Sequence, residues 1–175
     1  MGASPALVQL QMRLPERLSR WAHELVSAEL IFGIDPLLIA AIMDRESLGG
    51  DALAPKGPKG KGDGGHGHGL MQIDDRSHAA FLSAKSATGA PLWQEPWANI
   101  LYGAQLLKQN LNRFASEALA VAAYNCGPGN VRAALKTVPA GALESEIIAA
   151  VDRRTAGGNY SKDVLARRKK FLETK

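Results

Sequence analysis

The chain has 175 residues, 46% of them apolar and 22% charged, the composition of an ordinary folded protein and the length of one domain. Its one cysteine, Cys126, excludes an intrachain disulfide, and a chain near this length buries roughly 70% of its extended surface, so it needs neither staple nor metal to fold. A net charge of +4 favours a polyanion as partner (an acidic wall polymer, nucleic acid or anionic lipid), while the longest apolar run, LLIAAIM, is too short to cross a bilayer.

Residues 1–15 read as an N-terminal extension and 16–175 as a single domain. Leu18, Trp21, Ala22, Leu25 and Ala28 recur at three-and-four spacing and predict an amphipathic helix over 16–32. In the next stretch Asp35 suits an N-cap and Pro36 a first turn, where its missing N–H costs nothing. Gly49-Gly50 ends that helix. Because LLIAAIM at 37–43 is apolar on nearly every face, the helix should be central and enclosed, with Glu46 close to its C-terminal end.

Residues 51–69 are too rich in glycine and proline for regular structure, and LMQID at 70–74 predicts a short strand. A short helix is expected over 76–85, then an amphipathic one over 95–114 with Ile100, Leu101, Ala104, Leu107, Leu111 and Phe114 on its buried stripe. SEALAVAAYN at 116–125 predicts another helix, ended by Gly127-Pro128-Gly129, and NVRAALKTV at 130–138 the next. Two last helices are broken at Gly157-Gly158, and RRKK at 167–170 suits a solvated helix end. The fold class is mainly α, a helix-dominated α+β domain around a central buried helix, with a small sheet near 68–74.

Several chemistries compete for the middle of the chain. Asp63, His66, His68, Asp74 and His78 carry zinc-binding atoms, but no HExxH motif or cysteine pair organises them. GPKGKGDGG lacks the GK[ST] ending and the strand-to-helix context of a phosphate loop. No nucleic-acid module pattern is present. The carboxylates read better. Breaking a glycosidic bond takes a proton donor kept neutral by desolvation and an ionised partner in a wetter place. Glu46, after seven core-like residues, fits the first description; Asp63 and Asp74 fit the second. Glycines let the backbone pass close to a sugar ring, and strand alternation would put Gln72 on the face of Asp74.

Four segments, RESLGG at 45–50, GKGDGGHGHGLMQIDDRSH at 60–78, AAYNCGPGNV at 122–131 and TAGGNYSKDVLARRKKF at 155–171, resemble goose-type lysozyme and, more broadly, the soluble lytic transglycosylase group, in the same order. The resemblance implies a lysozyme-like fold with a cleft, and a bacteriolytic muramidase that hydrolyses the β-1,4 bond between N-acetylmuramic acid and N-acetylglucosamine in peptidoglycan. Carried over by motif, Glu46 is the general acid, and Asp63 and Asp74 hold or activate the attacking water. Tyr124 and Tyr160 lie near the acid, and Asn125 and Gln72 are cleft residues. Three positions depart from the pattern: Lys61 stands where the family has an aromatic residue, His66 where it has asparagine, and His68 where it has phenylalanine or tryptophan, so imidazole would take part of the ring's stacking. Two candidate bases favour inverting hydrolysis, with carboxyl groups roughly 6.5–9.5 Å apart. The alternatives are a transglycosylase, in which the muramic C6 hydroxyl attacks and leaves a 1,6-anhydro end, and a wall-binding domain without turnover. No cofactor, metal, specific nucleic acid or membrane insertion is expected. The expected partners are the wall polysaccharide and an inhibitor protein, and the expected state is a monomer. The site of action is extracellular or periplasmic. The first residues lack a basic leader and a long apolar core, which points to a removed signal, a phage holin or dedicated route, or carriage by a larger particle.

Overall fold

The computed structural model describes residues 4–174; Met1–Ala3, the start of the expected extension, and Lys175 lie outside the described residues. The rest of the extension is not featureless. The Ser4 hydroxyl accepts the Leu7 N–H at 3.3 Å and opens α1 (Pro5–Arg13), whose Leu7 and Leu10 are buried.

Where one helix was expected over 16–32 there are two, α2 (Glu16–Ser19) and α3 (Ala22–Phe32). The break falls at Arg20-Trp21. There the Arg20 guanidinium and the Trp21 indole N–H both donate to the Gly49 carbonyl, at 2.8 and 3.0 Å. The interruption therefore pins the turn that follows the next helix. That helix, α4 (Pro36–Ser47), begins as expected, with the Asp35 carboxylate accepting the Leu37 N–H at 2.9 Å. Leu37 is 4% exposed and Ile39 through Met43 are 0%, so it is enclosed along its length. It ends with Leu48 and Gly49 in left-handed conformation; a Cβ on Gly49 would lie 2.1 Å from the Arg17 carbonyl oxygen, a position open only to glycine.

The sheet has three antiparallel strands in the order β1 (Lys61–Gly62), β2 (Gly67–His68), β3 (Ile73–Asp74). Lys61 faces His68 across the first pair, and Gly67 faces Asp74 across the second. The strand expected over 70–74 shrinks to its last two residues. Gln72 takes φ 49°, and the Met71 N–H goes to a side chain, so neither can extend a ladder. The helix expected over 76–85 is α5 (Ala79–Ser83), and α6 (Pro96–Arg113) follows. α7 (Glu117–Leu135) joins the two helices expected around GPG and kinks at Gly127, with Pro128 starting the new direction. α8 (Glu144–Asp152) and α9 (Tyr160–Glu173) complete the chain.

The described residues group into two compact units, 4–104 with 168–174, and Gln105–Arg167. The first has its core in Leu18, Leu25, Leu38, Ile42, Leu70, Met71 and Ile100. The second is built on Phe114, Ala122, Ala123, Val131, Ala134 and Val151, where α7 packs on α8. Cys126 packs against this cluster, and burial pushes its thiol up from the ordinary range, away from the reactive thiolate. Among the described residues no helix is long and apolar enough to cross a membrane.

Candidate active site

Glu46 sits half-buried in the last turn of α4. Its neighbour Ser47 is buried and donates its hydroxyl to the Leu70 carbonyl at 2.7 Å, while accepting the Gly50 N–H at 3.2 Å. One residue on, the Met71 N–H donates to Asn99 Oδ1 at 2.8 Å, and Asn99 Nδ2 donates to the His68 carbonyl at 3.0 Å. Asn99 is 0% exposed. A Cβ at Gly69, between those two backbone groups, would come within 2.4 Å of Asn99 Nδ2. The end of α4, the glycine hairpin and the first turn of α6 thus form one hydrogen-bonded frame. Strands of two residues cannot supply such rigidity alone.

Asp63, on the turn after β1, and Asp74, the last residue of β3, are brought together by Arg76. Arg76 Nη2 lies 3.1 Å from Asp63 Oδ2 and 2.8 Å from Asp74 Oδ2. Its Nε lies 2.9 and 3.1 Å from the two Asp74 oxygens, and its backbone N–H donates to Asp74 Oδ1 at 2.8 Å. The fork is bidentate on Asp74 and reaches Asp63 with the same nitrogen. It holds the Asp74 carboxyl below its usual range, and the Arg76 guanidinium above its own. Asp63 at 68% exposure and Asp74 at 37% stand in water, as the sequence reading asked of ionised partners. Arg76 escaped that reading; an aspartate that bonds the backbone two residues on is a turn signal, which places residue 76 but says nothing of its guanidinium.

Asp75, also missed, holds one of the histidines. His66 Nδ1 is 2.9 Å from Asp75 Oδ1, on the surface. His68 is only 7% exposed, edge-on to Trp93 at 4.8 Å, with Nε2 a long 3.5 Å from Asp75 Oδ2; neither ring nitrogen has a hydrogen-bond partner. Burial, with the charge of Lys61 nearby, pushes the His68 pKa down. Lys61 Nζ lies 5.9 Å over the Trp93 ring, so Lys61 and His68 gather on one aromatic side chain. His78 Nδ1 is 3.1 Å from the Tyr102 hydroxyl. Among the described residues no three His, Cys, Asp or Glu side chains converge as a metal site.

Gln72 behaves differently from the alternation argument, because residue 72 precedes β3. Its Nε2 donates to the Gly69 carbonyl at 2.8 Å, and its Oε1 fills the space that Cβ atoms at Gly62 and Gly67 would need, 2.4 and 2.1 Å away. The amide lies against the hairpin backbone, which explains those two glycines sterically.

In the second unit, Tyr124 and Asn125 are half-buried on α7, and Asn125 Oδ1 accepts the Ala156 N–H at 2.8 Å, joining AAYN to TAGGN. Tyr160 is 1% exposed, and its N–H donates to Thr155 Oγ1 at 3.2 Å. The buried Asp152 carboxylate, unforeseen, accepts the Ser161 and Lys162 N–H groups at 2.9 and 3.3 Å, where α9 begins and the helix dipole favours negative charge.

Comparison with known proteins adds a family. Residues 25–146 match the model of the transglycosylase SLT domain. Lysozyme g of Epinephelus coioides is 31% identical over 163 residues, 86% of this chain and 74% of that protein. Lysozyme g of Struthio camelus is 31% identical over 137 residues, and there the chain spans 57% of the relative's length. A lytic transglycosylase Slt from Pseudomonas aeruginosa, solved as an inactive glutamate-to-glutamine mutant, superposes with a TM-score of 0.61 at 25% identity; the match covers 83% of this chain and 23% of that one.

Proposed function

We propose, because the chain belongs to the transglycosylase SLT domain family of lysozyme-like proteins, that it cuts the β-1,4 bond between N-acetylmuramic acid and N-acetylglucosamine in peptidoglycan, as a lytic transglycosylase. The observation that carries this reading is the setting of Glu46: half-buried, on the last turn of an enclosed helix, and tied through Ser47 to the glycine hairpin. A carboxyl group partly removed from water keeps its proton more easily and can give it to the departing sugar oxygen. The muramic C6 hydroxyl then attacks the anomeric carbon and returns a proton to Glu46, leaving a 1,6-anhydro end.

Internal attack needs one glutamate and no base for water. Asp63 and Asp74 are both engaged by Arg76, and the Asp74 carboxyl is held low, which makes it a weak proton acceptor. The inactive glutamate-to-glutamine form of the Pseudomonas enzyme supports dependence on one glutamate in this family. A second reading, inverting hydrolysis with Asp63 or Asp74 steering water, draws support from the lysozyme g relatives and from the closeness of the two aspartates. Tyr124, Asn125, Tyr160, Gln72 and His68 remain candidates for contact with the sugar. The protein would act as a monomer on wall glycan outside the cytoplasmic membrane.

The test is digestion of purified wall and mass spectrometry of the released ends. 1,6-Anhydromuramic ends are expected. Reducing ends would establish the hydrolytic reading instead, and retention on wall without any release would overturn both.

A further inference from the structure

Glu46 stands on a helix end, where the ladder of backbone hydrogen bonds runs out. Burial does not fix this end: Glu46 is half-buried and Leu48 is exposed. The last turn of α4 is gripped from outside instead, by a stretch that no motif marked. Two residues before Glu46, the Asp44 carboxylate, only 2% exposed, accepts the Arg17 Nε–H at 2.8 Å. Three residues after it, the carbonyl of buried Gly49 accepts N–H groups from Arg20 at 2.8 Å and from the Trp21 indole at 3.0 Å. The Arg20 guanidinium lies 5.3 Å over the Trp21 ring, so the two donors come to one acceptor together. Leu18 is buried, and its side chain would meet a Cβ on Gly49 at 3.1 Å. Arg17, Leu18, Arg20 and Trp21 thus hold α4 and its closing turn on both sides of Glu46.

We propose that Arg17, Arg20 and Trp21 are positioning residues: together they form a collar that sets the rotation of the last turn of α4, and so the aim of the Glu46 carboxyl. This rests on the glycan-cleaving reading above, in which Glu46 gives its proton to the oxygen bridging two sugars. The collar acts through the chain at residues 44–49 and makes or breaks no bond of the glycan. A proton passes only when donor and acceptor come within about 2.6–3.2 Å. A shift of about 1 Å, caused by a change away from the chemistry, can cost roughly 100-fold in rate.

The grip falls where it is strong. The Gly49 carbonyl is buried beyond the last turn of α4, where the two side-chain donors satisfy it. The Asp44 carboxylate is buried too, and parting a buried carboxylate from its arginine is costly. The Arg20–Asp51 pair is exposed on both sides and adds little.

The experiment compares wild type with Trp21→Phe, Arg20→Met and Arg17→Met, which remove donors and keep apolar bulk, and with Arg17→Lys. Val151→Ala, in the core of the second unit, controls for stability lost away from α4. Amide exchange at Leu48, which donates to the Asp44 carbonyl, and at Gly50, which donates to Ser47 Oγ, reads the last turn. Exchange at Ile42 reads the middle of the same helix. kcat and KM on soluble wall glycan, below the melting temperature of every variant, read the chemistry. Removing a donor should speed exchange at Leu48 and Gly50 about 10-fold, the scale of one ordinary hydrogen bond, and leave Ile42 unchanged. kcat should fall about 10-fold with KM within about 2-fold, since an acid turned aside weakens the transition state and not glycan binding. Arg17→Lys, a charge without the fork, should recover part of the kcat lost in Arg17→Met. Val151→Ala should keep the wild-type kcat. Collar variants that exchange faster but cut with wild-type kcat overturn the positioning role, as does a fall in kcat shared by Val151→Ala. Unchanged exchange at Leu48 and Gly50 overturns the collar itself. If Arg17→Met does not fold by circular dichroism, Trp21→Phe, which loses a single N–H, decides. Wild type that cuts nothing overturns the functional reading and any role in aiming Glu46, even where exchange shows the turn held by the collar.

Discussion

Glu46 rides on a helix sealed from water through the turns before it, whereas Asp63 stands largely in solvent on the turn after one two-residue strand and Asp74, half-buried, ends another. The helix is held by apolar burial along its length, and the turn that closes it by Arg20 and Trp21 on the Gly49 carbonyl. The hairpin is held by polar groups aimed at its backbone: Ser47 at Leu70, Asn99 at His68 and Met71, and the Gln72 amide at Gly69. The contrast matches what each carboxyl group would have to do. A proton donor gains from being kept out of water, and an ion gains from water and from an arginine. It also separates two ways of failing, since losing an acid should stop chemistry and spare the fold, whereas losing a backbone anchor should loosen the hairpin.

The largest effect on that contrast should come from Glu46→Gln, which keeps the shape and removes the donor. Release of wall fragments should fall at least ~10²-fold with the melting temperature unchanged; near-normal turnover would take Glu46 out of the chemistry. Next is Asn99→Ala, which strands one buried N–H and one buried carbonyl. At about 1–3 kcal/mol for each group, denaturant titration should read a loss of about 2–6 kcal/mol. A loss near zero would mean that the hairpin does not hang on Asn99. Ser47→Ala removes the buried bonds to the Leu70 carbonyl and from the Gly50 N–H, and at about 0.5–1.5 kcal/mol each a loss of about 1–3 kcal/mol is expected by the same measurement.

The smallest effect is one of pH. Burial lowers the His68 pKa in the folded chain, so its contribution is full above the unfolded value of about 6.5 and is lost as pH falls through the lowered one. Wild type should therefore lose thermal stability on acidification below about pH 6.5. His68→Phe, packed on the same Trp93 edge, should flatten that loss. A residual slope belongs to His78, also lowered by burial. An unchanged slope would show that His68 takes up no proton in this range.

How legible the molecule was follows from the same contrast. α4 could be read from seven apolar residues between a capping aspartate and two glycines, because burial of a helix is written locally. α6 and the kinked α7 were legible for the same reason, though Gly127 bends the chain where a stop was expected. The break at Arg20-Trp21 was not, since its cause is a carbonyl at Gly49, 28 residues on from Trp21. Asp63 and Asp74 could be named as acids, but Arg76, which joins them, and Asn99, which holds the hairpin from another helix, act through contacts that no spacing rule records. Strand alternation does not place Gln72, because that residue stands in a left-handed turn ahead of β3.

The most direct test of Glu46 as proton donor is a crystal structure of the Glu46→Gln protein with a wall glycan bound. The side-chain amide of residue 46 should lie about 2.6–3.2 Å from the oxygen that bridges two sugars. A glycan seated with every bridging oxygen beyond the reach of residue 46, and another carboxyl group in that place, would contradict the account.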